Sequence, residues 1–540
     1  MQDTATQARK PSKTVLAPDV VPSLAFADAD GAKRWAKSLL ITGVTPLYEA
    51  VRGQLRALSA ADFAPRERAT IAEVMREQVA HLHTELARRY AGKPQPAAER
   101  ETDAAEQAIS LWQGLWEQYS ACLKPLLEGD VDLQGVKAKL LQRGLYVGKQ
   151  LVIVYGLARR APPPTLWQEL HAYYRLAEIL DCAVTAVSDD LQPHAVGVSC
   201  YSTYCHAVLL GLADPCALSV RQIELADRWL GQWARKIFPY AQQRETEGPV
   251  ILMDLDSGVG GWLAKAAPAH PPTSMRYGYP GKLATSVRGR MKRLAAGATP
   301  AELQLGHDTS VDGSAALLAH LDAHWYQLLD GDQEAAHESI QITAGGVQAA
   351  YFRVGGRTFD RQHPLGRLTF QGAEHLQTLG ALTDYDRYKE DAERNWPWEQ
   401  WQGEYGWTGA KLLRRESTQY RWFLDQLVVV RDDERTRLGY VNRVAVAPPN
   451  ELAMSLSLWP GQPRSIPIRP TSIAFAEELP VPALLLGATE QEPASLVVPP
   501  RTFNAGRMMR SMDNGPERKF RLTKLLQRGG DFERVAFEES

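Results

Sequence analysis

The first stretch of this sequence that could do chemistry is a run of arginines beside hydroxyl and amide side chains. Residues 412–424 read LLRRESTQYRWFL, so Arg414 and Arg415 precede Ser417, and Arg421 follows beside a tryptophan. An arginine fork near a hydroxyl suits bidentate phosphate recognition, and an arginine next to an aromatic ring can stack on a purine. The stretch is therefore either a nucleotide-binding turn with these four residues as its ligand contacts or an edge strand with a charged face.

A second group of cations lies between Arg276 and Ala301, where the sequence contains no acidic residue. Apolar residues there have the i, i+4, i+7 spacing of one helix face, so the basic side chains should occupy the other face. That face is either simply solvated or able to contact phosphates. The residues that would make phosphate contacts are Arg288, Arg290, Lys292 and Arg293.

Three groups of potential metal ligands are incomplete. They are Asp254 with Asp256, His320 with His324, and Cys200 with Cys205 and His206. The aspartates end an apolar strand and could hold Mg²⁺, but the further acids, lysine and hydroxyl of a phosphotransferase cannot be identified. The histidines have i, i+4 spacing but no evident third ligand, and the cysteines have no second half of a zinc site. The sequence predicts no metal and no cofactor.

Signatures of the common enzyme classes are missing as well. There is no GxSxG, no P-loop and no HExxH, and the segment SGVGGW is not a GxGxxG. We therefore predict a protein that is not an enzyme and has no catalytic residues.

Length, charge and apolar content limit the kinds of protein that this chain can be. A chain of 540 residues is long enough for two to four domains, and its net charge of -2 provides no overall attraction for nucleic acid. The first 25 residues contain no apolar block of signal-peptide length, and the longest apolar run is interrupted by Lys149 and Gln150. Five cysteines do not suggest a disulfide framework. We expect a cytoplasmic protein without a membrane span.

Helical periodicity dominates from about residue 30 to residue 240. The segment TIAEVMREQVAHLHTELARRY has apolar residues at steps of three to five, which leaves Arg76 and Glu77 outside the apolar stripe. Ser219 and Gln222 have the spacing of a capping box. Turn segments such as AGKPQP and RRAPPPT divide the region, so we expect a helical bundle.

The pattern changes to strands and glycine-rich turns after about residue 245. VILMDLDSG reads as a buried strand, SVRGRMKRLAAG as a short helix, and IQITAGGVQAAYFRVGGRTF as a β-hairpin or meander turning at its glycine pairs. Segments between 412 and 475 are β-branched and aromatic, as in a small antiparallel barrel. The predicted class is α+β. Its predicted parts are a disordered tail (1–28), a helical domain (29–242), a mixed α/β domain (245–400) and a barrel with a C-terminal extension (405–540).

Several of these motifs together resemble one family. The helical segments RYAGKP and LWQELHAYYRLAE, the middle segment LATSVRGRMKRLAAGATPAELQLG, the turn GGRTF and the strand RLGYVNRV follow in order. Over nearly its whole length the chain resembles large cytosolic PilZ-like proteins of proteobacteria, which join a helical N-terminal region to a C-terminal PilZ-like barrel. These proteins belong to the cyclic di-GMP receptor class.

The resemblance implies a ligand and a role. PilZ barrels bind cyclic di-GMP through an Arg-x-x-x-Arg arm and an Asp/Asn-x-Ser-x-x-Gly motif. Here Ser417 matches the serine, whereas Arg415 replaces the acid or amide and Tyr420 replaces the glycine, so the motif is degenerate. The implied protein is a non-enzymatic regulator or adaptor that binds a protein partner through its helical region. The alternative is a nucleic-acid-associated protein that uses the basic segment 276–293.

Overall fold

A helical region, a mixed middle segment and two antiparallel β-barrels follow one another along the chain, which confirms the α+β class. The computed structural model describes residues 23–39, 43–192, 195, 197–328, 336–359, 392–415, 420–432, 435–447, 451–471, 479–513 and 516–539. The predicted disordered tail lies outside the described residues up to position 22.

The helical bundle is built from amphipathic and fully buried helices. They are α1 (Ala29–Ser38), α2 (Val44–Ala60), α3 (Pro65–Tyr90), α4 (Glu99–Ser120), α5 (Leu123–Leu127), α6 (Val131–Gln134), α7 (Lys137–Leu157), α8 (Pro164–Ile179), α9 (Cys200–Leu212) and α10 (Val220–Trp233). The predicted capping box begins α10, where the Ser219 hydroxyl accepts from the Gln222 backbone N–H and the Gln222 side chain accepts in return. Among the described helices, none is long and apolar enough to cross a membrane.

Helix α7 lies at the centre of this bundle and is buried on almost every side. Its glycines allow close packing, because a Cβ on Gly144 would lie 1.9 Å from the Tyr173 ring and one on Gly148 would lie 2.5 Å from Leu170. The close approach of α8 to α7 therefore depends on the missing side chains.

The middle segment packs onto the same core. Strands β1 (Val250–Asp254), β2 (Trp262–Ala264) and β3 (Met275–Gly278) form a sheet in the order β2-β1-β3, followed by α11 (Gly281–Ala295) and α12 (Val311–Tyr326). Ile251, Leu283 and Trp325 belong to the apolar cluster that also contains the core of the helical bundle. The boundaries predicted near residues 242 and 400 mark the ends of segments that should fold independently. Independent folding is a property of the isolated segments, so these boundaries stay a prediction.

The C-terminal part contains two closed barrels where we expected one. The first barrel joins β4 (Ala336–Thr343), β5 (Glu399–Tyr405), β6 (Gly409–Arg414), β9 (Glu451–Leu458), β8 (Thr436–Ala447) and β7 (Leu427–Arg431) in that order. The second joins β10 (Pro463–Pro470), β11 (Val481–Leu486), β12 (Ser495–Val498), β15 (Glu533–Glu539), β14 (Lys519–Arg528) and β13 (Met508–Ser511). The C-terminal extension therefore closes on itself instead of only adding strands to the first barrel.

The hairpin or meander predicted at residues 340–359 is wrong after its first strand. Strand β4 is followed by helix α13 (Gly346–Gly355), which begins at the glycine pair that we had assigned to a turn. Val347 and Ala350 of α13 pack with Leu427 of the first barrel and Leu484 of the second in one apolar cluster. The 3.6-residue period decides the structure here, because only a helix places both apolar side chains between the barrels.

The close packing of α7 gives a direct test of the fold. We expect Gly144→Ala to lower the midpoint of thermal unfolding, since its methyl group would overlap the buried Tyr173 ring and overpacking costs about 1–3 kcal/mol. Gly289→Ala in α11 is the matched control, because nothing lies within 4 Å of its added Cβ and the change removes a helix-interior glycine. An equal effect of the two substitutions on the midpoint would contradict this packing.

Candidate ligand-binding cleft of the helical region

The arginines of the predicted turn lie at the end of strand β6 and between β6 and β7 of the first barrel, and their side chains contact other residues of the protein. Arg414 forms an ion pair with Glu399 and donates to the Tyr420 carbonyl at 3.2 Å. Glu399 is fully buried and also accepts from Trp422 Nε1 at 3.1 Å. Arg414 is thus part of a buried network that holds the barrel together.

The other predicted contacts of this turn face different partners. Arg415 is exposed, and its Nε donates to Gln402 at 3.1 Å. Arg421 donates to the Pro94 carbonyl at 2.7 Å and forms an ion pair with Glu101 of α4. Ser417 lies outside the described residues. The arginines do not converge on one acceptor, and their role as ligand contacts remains a prediction.

Some cations of the basic segment 276–293 have partners within the protein, and others are exposed to solvent. Arg288 Nε lies 2.9 Å from Asp322 Oδ1, while Arg290 donates to Ser286 and to the Leu303 carbonyl. Lys292 and Arg293 are exposed. These four cations therefore form no continuous row of unpaired charges.

The incomplete metal-ligand groups have protein partners of their own. Asp254 accepts from Ser274 at 2.6 Å, whereas Asp256 forms an ion pair with Arg175 at 2.5 Å. The stacked rings of His320 and His324 contact backbone carbonyls, at 2.7 and 2.8 Å. All five cysteines are buried and free. Across the described part of the chain there is no group of three or more ligands that could hold a metal ion.

The clearest cavity lies in the helical region, where α1, α3 and α7 meet the loop before α9. It has a volume of about 640 Å³, and we call it the cationic cleft. Its charged lining residues are Lys33, Lys37, Arg66, Glu73, Arg76, Glu77, Lys139, Arg143 and Asp190. Because helices supply most of this lining, its side chains are held by rigid elements.

Glu73 is at the centre of the cleft floor and pairs with Arg76 of its own helix α3 and with two cations of α7. Arg143 Nε lies 3.0 Å from its Oε1, and Lys139 Nζ lies 3.1 Å from its Oε2. Tyr119 of α4 donates its hydroxyl to Glu73 at 2.6 Å. This carboxylate therefore joins α3 to α4 and α7.

Asp189 closes the floor from the loop between α8 and α9. Its side chain is fully buried and accepts from Arg76 NH1 at 2.8 Å, with Arg143 NH1 at 3.2 Å. Gln192 Nε2 donates to the other carboxylate oxygen at 2.6 Å. Since Arg143 also donates to the Ser188 carbonyl, the loop is held on the helices by charge-assisted hydrogen bonds.

The electrostatics of the floor explain why these groups stay ionised. Burial would raise the pKa of Glu73 and of Asp189, but the nearby charges of Arg76 and Arg143 outweigh it, and both pKa values are lowered. Burial, together with the charge of Glu73, raises the pKa of Tyr119 well above its usual value, so its hydroxyl stays protonated. The floor thus presents fixed charges and a fixed donor.

The rim differs from the floor because some of its cations are uncommitted. Lys37 and Arg66 are exposed, and neither has a carboxylate within 4.0 Å among the residues that the structure describes. Lys33, by contrast, pairs with Asp30 at 3.0 Å, and the other three lining cations pair with Glu73 or Asp189 in the floor. The two rim cations without a carboxylate partner suit a ligand that carries two phosphates. Carboxylates and arginines in such a cavity could also bind the polar edges and faces of purines.

This site was not predicted from the sequence. Arg76 falls outside the apolar stripe of its helix, yet its side chain is 5% exposed and lies in the floor. Its partner Asp189 is 113 positions away. A local signal is Glu73, which lies three positions before Arg76 in the sequence and forms an ion pair with it at 3.4 Å.

Comparison with known families adds two findings. Residues 30–239 match the family described as cyclic-di-GMP receptor FimW, N-terminal domain. Residues 469–540 match the FimW C-terminal beta-barrel domain. The first match contains the whole cationic cleft, and the second covers most of the second barrel. No curated protein and no solved structure matches the chain significantly.

The buried ion pairs of the floor predict a large loss of stability on Asp189→Asn. The substitution leaves the buried Arg76 and Arg143 without one of their counter-charges, and breaking a buried pair costs about 3–5 kcal/mol. Asp190→Asn is the control, because Asp190 is exposed and should change the free energy of unfolding by less than about 0.5 kcal/mol. Urea denaturation followed by circular dichroism measures both, and similar losses would contradict a structural role specific to Asp189.

This contribution should depend on pH. Because the pKa values of Glu73 and Asp189 are lower in the folded protein than in the unfolded chain, their stabilisation is fully present above about pH 4. It is lost as the pH falls through the folded pKa values. We therefore expect the difference in unfolding free energy between wild type and Asp189→Asn to shrink steadily below about pH 4. A difference that stays constant down to pH 2 would show that the carboxylate charge is not its origin.

Proposed function

Because this chain belongs to the cyclic-di-GMP receptor FimW family, we propose that it is a non-enzymatic cytoplasmic regulator that binds cyclic di-GMP in the cationic cleft. Cyclic di-GMP carries two phosphates and two guanine bases. The ligand would place its phosphates against the uncommitted rim cations Lys37 and Arg66. Glu77 and Asp190, which also line the cleft, would accept hydrogen bonds from guanine N–H groups.

The observation that carries this proposal is a pair of rim cations in a preformed cavity, Lys37 and Arg66, that have no carboxylate within 4.0 Å among the described residues. The ligand charge is neutralised without breaking any ion pair, since Glu73 and Asp189 already serve Arg76 and Arg143. A volume of about 640 Å³ lies within the range of about 300–1,000 Å³ that is usual for small-molecule sites. The cleft also lies in the part of the chain that matches the receptor's N-terminal domain.

The degenerate PilZ-like turn is a second place for the same ligand. There Arg414, Arg415, Ser417 and Arg421 would bind the phosphates, as in the family that the sequence resembles. Support for it is the exposure of Arg415 beside a hydroxyl-containing segment. Binding there would have to compete with the ion pairs of Arg414 and Arg421. The two places therefore predict different sensitive residues.

We also propose that the protein acts as an adaptor, with the helical region as its contact for a protein partner. Large apolar side chains are exposed there, including Val131 at 85% and Ile179 at 66%. An exposed apolar side chain gains free energy when a partner covers it. These residues would contribute to such a contact.

Calorimetric titration with cyclic di-GMP tests the cleft. We expect Lys37→Gln with Arg66→Gln to weaken binding about a hundredfold, since each lost hydrogen bond to a charged group corresponds to about a factor of ten. Arg89→Gln with Lys124→Gln is the matched control, because it removes the same charge from exposed positions outside the cleft. Equal losses in the two double variants would show a general electrostatic effect instead of a site.

The same titration separates the cleft from the PilZ-like turn. If the turn binds the ligand, Arg415→Gln with Ser417→Ala should abolish binding. The double variant Lys37→Gln with Arg66→Gln should then still bind it. If the cleft binds the ligand, the turn variant should have wild-type affinity. An absence of measurable heat with the wild-type protein up to millimolar ligand would reject both places.

A further inference from the structure

A second group of cations surrounds the hydroxyl of Ser286 in α11. Lys236 Nζ donates to Ser286 Oγ at 2.7 Å, and Arg290 NH1 donates to the same oxygen at 2.5 Å. Arg235 and Arg293 are exposed beside them, and their charges act on Lys236 and Arg290, respectively. We call these five residues the Ser286 cluster. Two cations here share one neutral acceptor.

Like charges in this cluster repel each other. Burial, followed by the charges of Arg290 and Arg235, lowers the pKa of Lys236. Burial and the charge of Arg293 lower the pKa of Arg290. Both shifts show that the cationic forms are destabilised where they stand. A hydroxyl group supplies hydrogen-bond acceptance but no compensating negative charge.

Carboxylates of the chain do not supply that charge. Within the described ranges, no Asp or Glu lies within 4.0 Å of the four cations of the cluster. The pKa of Glu302 is lowered chiefly because its carboxylate accepts from the backbone N–H of Thr299 at 2.8 Å. The charge of Arg293 makes a smaller contribution to that shift. The neighbouring Arg288, by contrast, has Asp322 as its counter-charge.

Arg290 is fixed in orientation although it lacks a counter-charge. Its Nε donates to the Leu303 carbonyl at 3.2 Å, and its guanidinium lies 5.0 Å from the centre of the Trp233 ring. Its NH1 donates to Ser286, and its NH2 has no acceptor in the described part of the chain. A positioned donor with a free N–H is what a bound oxyanion requires.

We propose that the Ser286 cluster binds one small phosphate group, either inorganic phosphate or the phosphate of a mononucleotide. Lys236 and Arg290 would hold the phosphate oxygens, and Ser286 would turn its hydroxyl from acceptor to donor. Arg235 and Arg293 would contribute charge at the rim. This site is separate from the cationic cleft and does not depend on cyclic di-GMP binding there.

The arrangement favours a small anion over a nucleic acid strand. A strand would need a continuous row of unpaired cations along the segment, because each backbone phosphate adds a separate contact. Arg276 and Arg288, on either side of Ser286, are already paired with Glu178 and Asp322. The uncompensated charge is therefore concentrated at one point.

A carboxylate placed at Ser286 should imitate the bound phosphate. We measure the thermal unfolding of the full-length protein in sodium phosphate and in sodium chloride of equal ionic strength. We expect phosphate to raise the wild-type midpoint, and Ser286→Asp to raise the midpoint in chloride and remove the response to phosphate. Ser286→Asn, of nearly equal size but neutral, should not raise the midpoint in chloride.

A second measurement keeps the test valid if Ser286→Asp does not fold. Calorimetric titration with inorganic phosphate should show about tenfold weaker binding for Lys236→Gln, the effect of one charge-assisted hydrogen bond. Lys292→Gln should bind like wild type, because Lys292 is exposed on the same helix and is not part of the cluster. Tighter binding of a nucleoside monophosphate than of phosphate would identify a nucleotide as the ligand, and equal affinities would identify free phosphate.

Three results would overturn the proposal. The first is a phosphate response no larger than that of chloride, and the second is an equal response in wild type and Ser286→Asp. The third is binding of a single-stranded RNA that Lys236→Gln and Lys292→Gln weaken equally, with a salt dependence corresponding to several phosphates. That last result would instead assign the segment to nucleic acid.

Discussion

Buried positive charge needs buried negative charge, and the helical region is organised around this requirement. Arg76 and Arg143 enter the core from α3 and α7, and each side chain is at most 5% exposed. Leaving either cation unpaired there would cost several kcal/mol. Glu73 and Asp189 meet the requirement from two directions. Two helices and the loop before α9 are thereby held in one arrangement, and the walls of the cleft are set by it.

Helix α3, which supplies part of the cleft floor, ends close to a segment that is hydrogen-bonded to the first barrel. Helix α3 carries Glu73 and Arg76 and ends at Tyr90, a few residues before Gln95. Gln95 and Trp422 exchange two backbone hydrogen bonds, of 2.7 and 2.6 Å. A shift of α3 that accompanied ligand binding would therefore act on the segment that continues into the buried Glu399 network of the barrel. Arg421 and Trp422 therefore connect the helical region to the first barrel.

The parts of the fold that sequence could predict are those with local periodicity. The helices of the bundle follow from apolar spacing, the start of α10 follows from its Ser219 cap, and β7, β8 and β9 follow from β-branched runs. Closure of the barrels was not predictable in this way, because β4 pairs with β5 across more than fifty residues and also with β7. Glycine pairs misled the prediction at α13, where the apolar period carried the correct information.

Candidate sites were harder to predict than elements because an arginine's role depends on its counter-charge. Arg414 stood out in the sequence for its neighbours, yet its guanidinium is paired with the buried Glu399. Arg76 did not stand out, and its partner Asp189 comes from a distant loop. No short window of sequence contains both Arg76 and Asp189, so motif spacing did not separate the structural arginines from a ligand-binding one.

In the folded chain, the positions of the carboxylates distinguish structural cations from cations that can bind a ligand. Where a buried carboxylate faces the cation, as at Arg143 and Arg414, the pair is already neutral and a phosphate would have to displace it. Where the cation faces solvent or a hydroxyl, as at Lys37 and Lys236, a phosphate adds attraction without such a loss. Anionic ligands should therefore bind at the edges of the charged networks, next to cations that the fold itself leaves without a carboxylate.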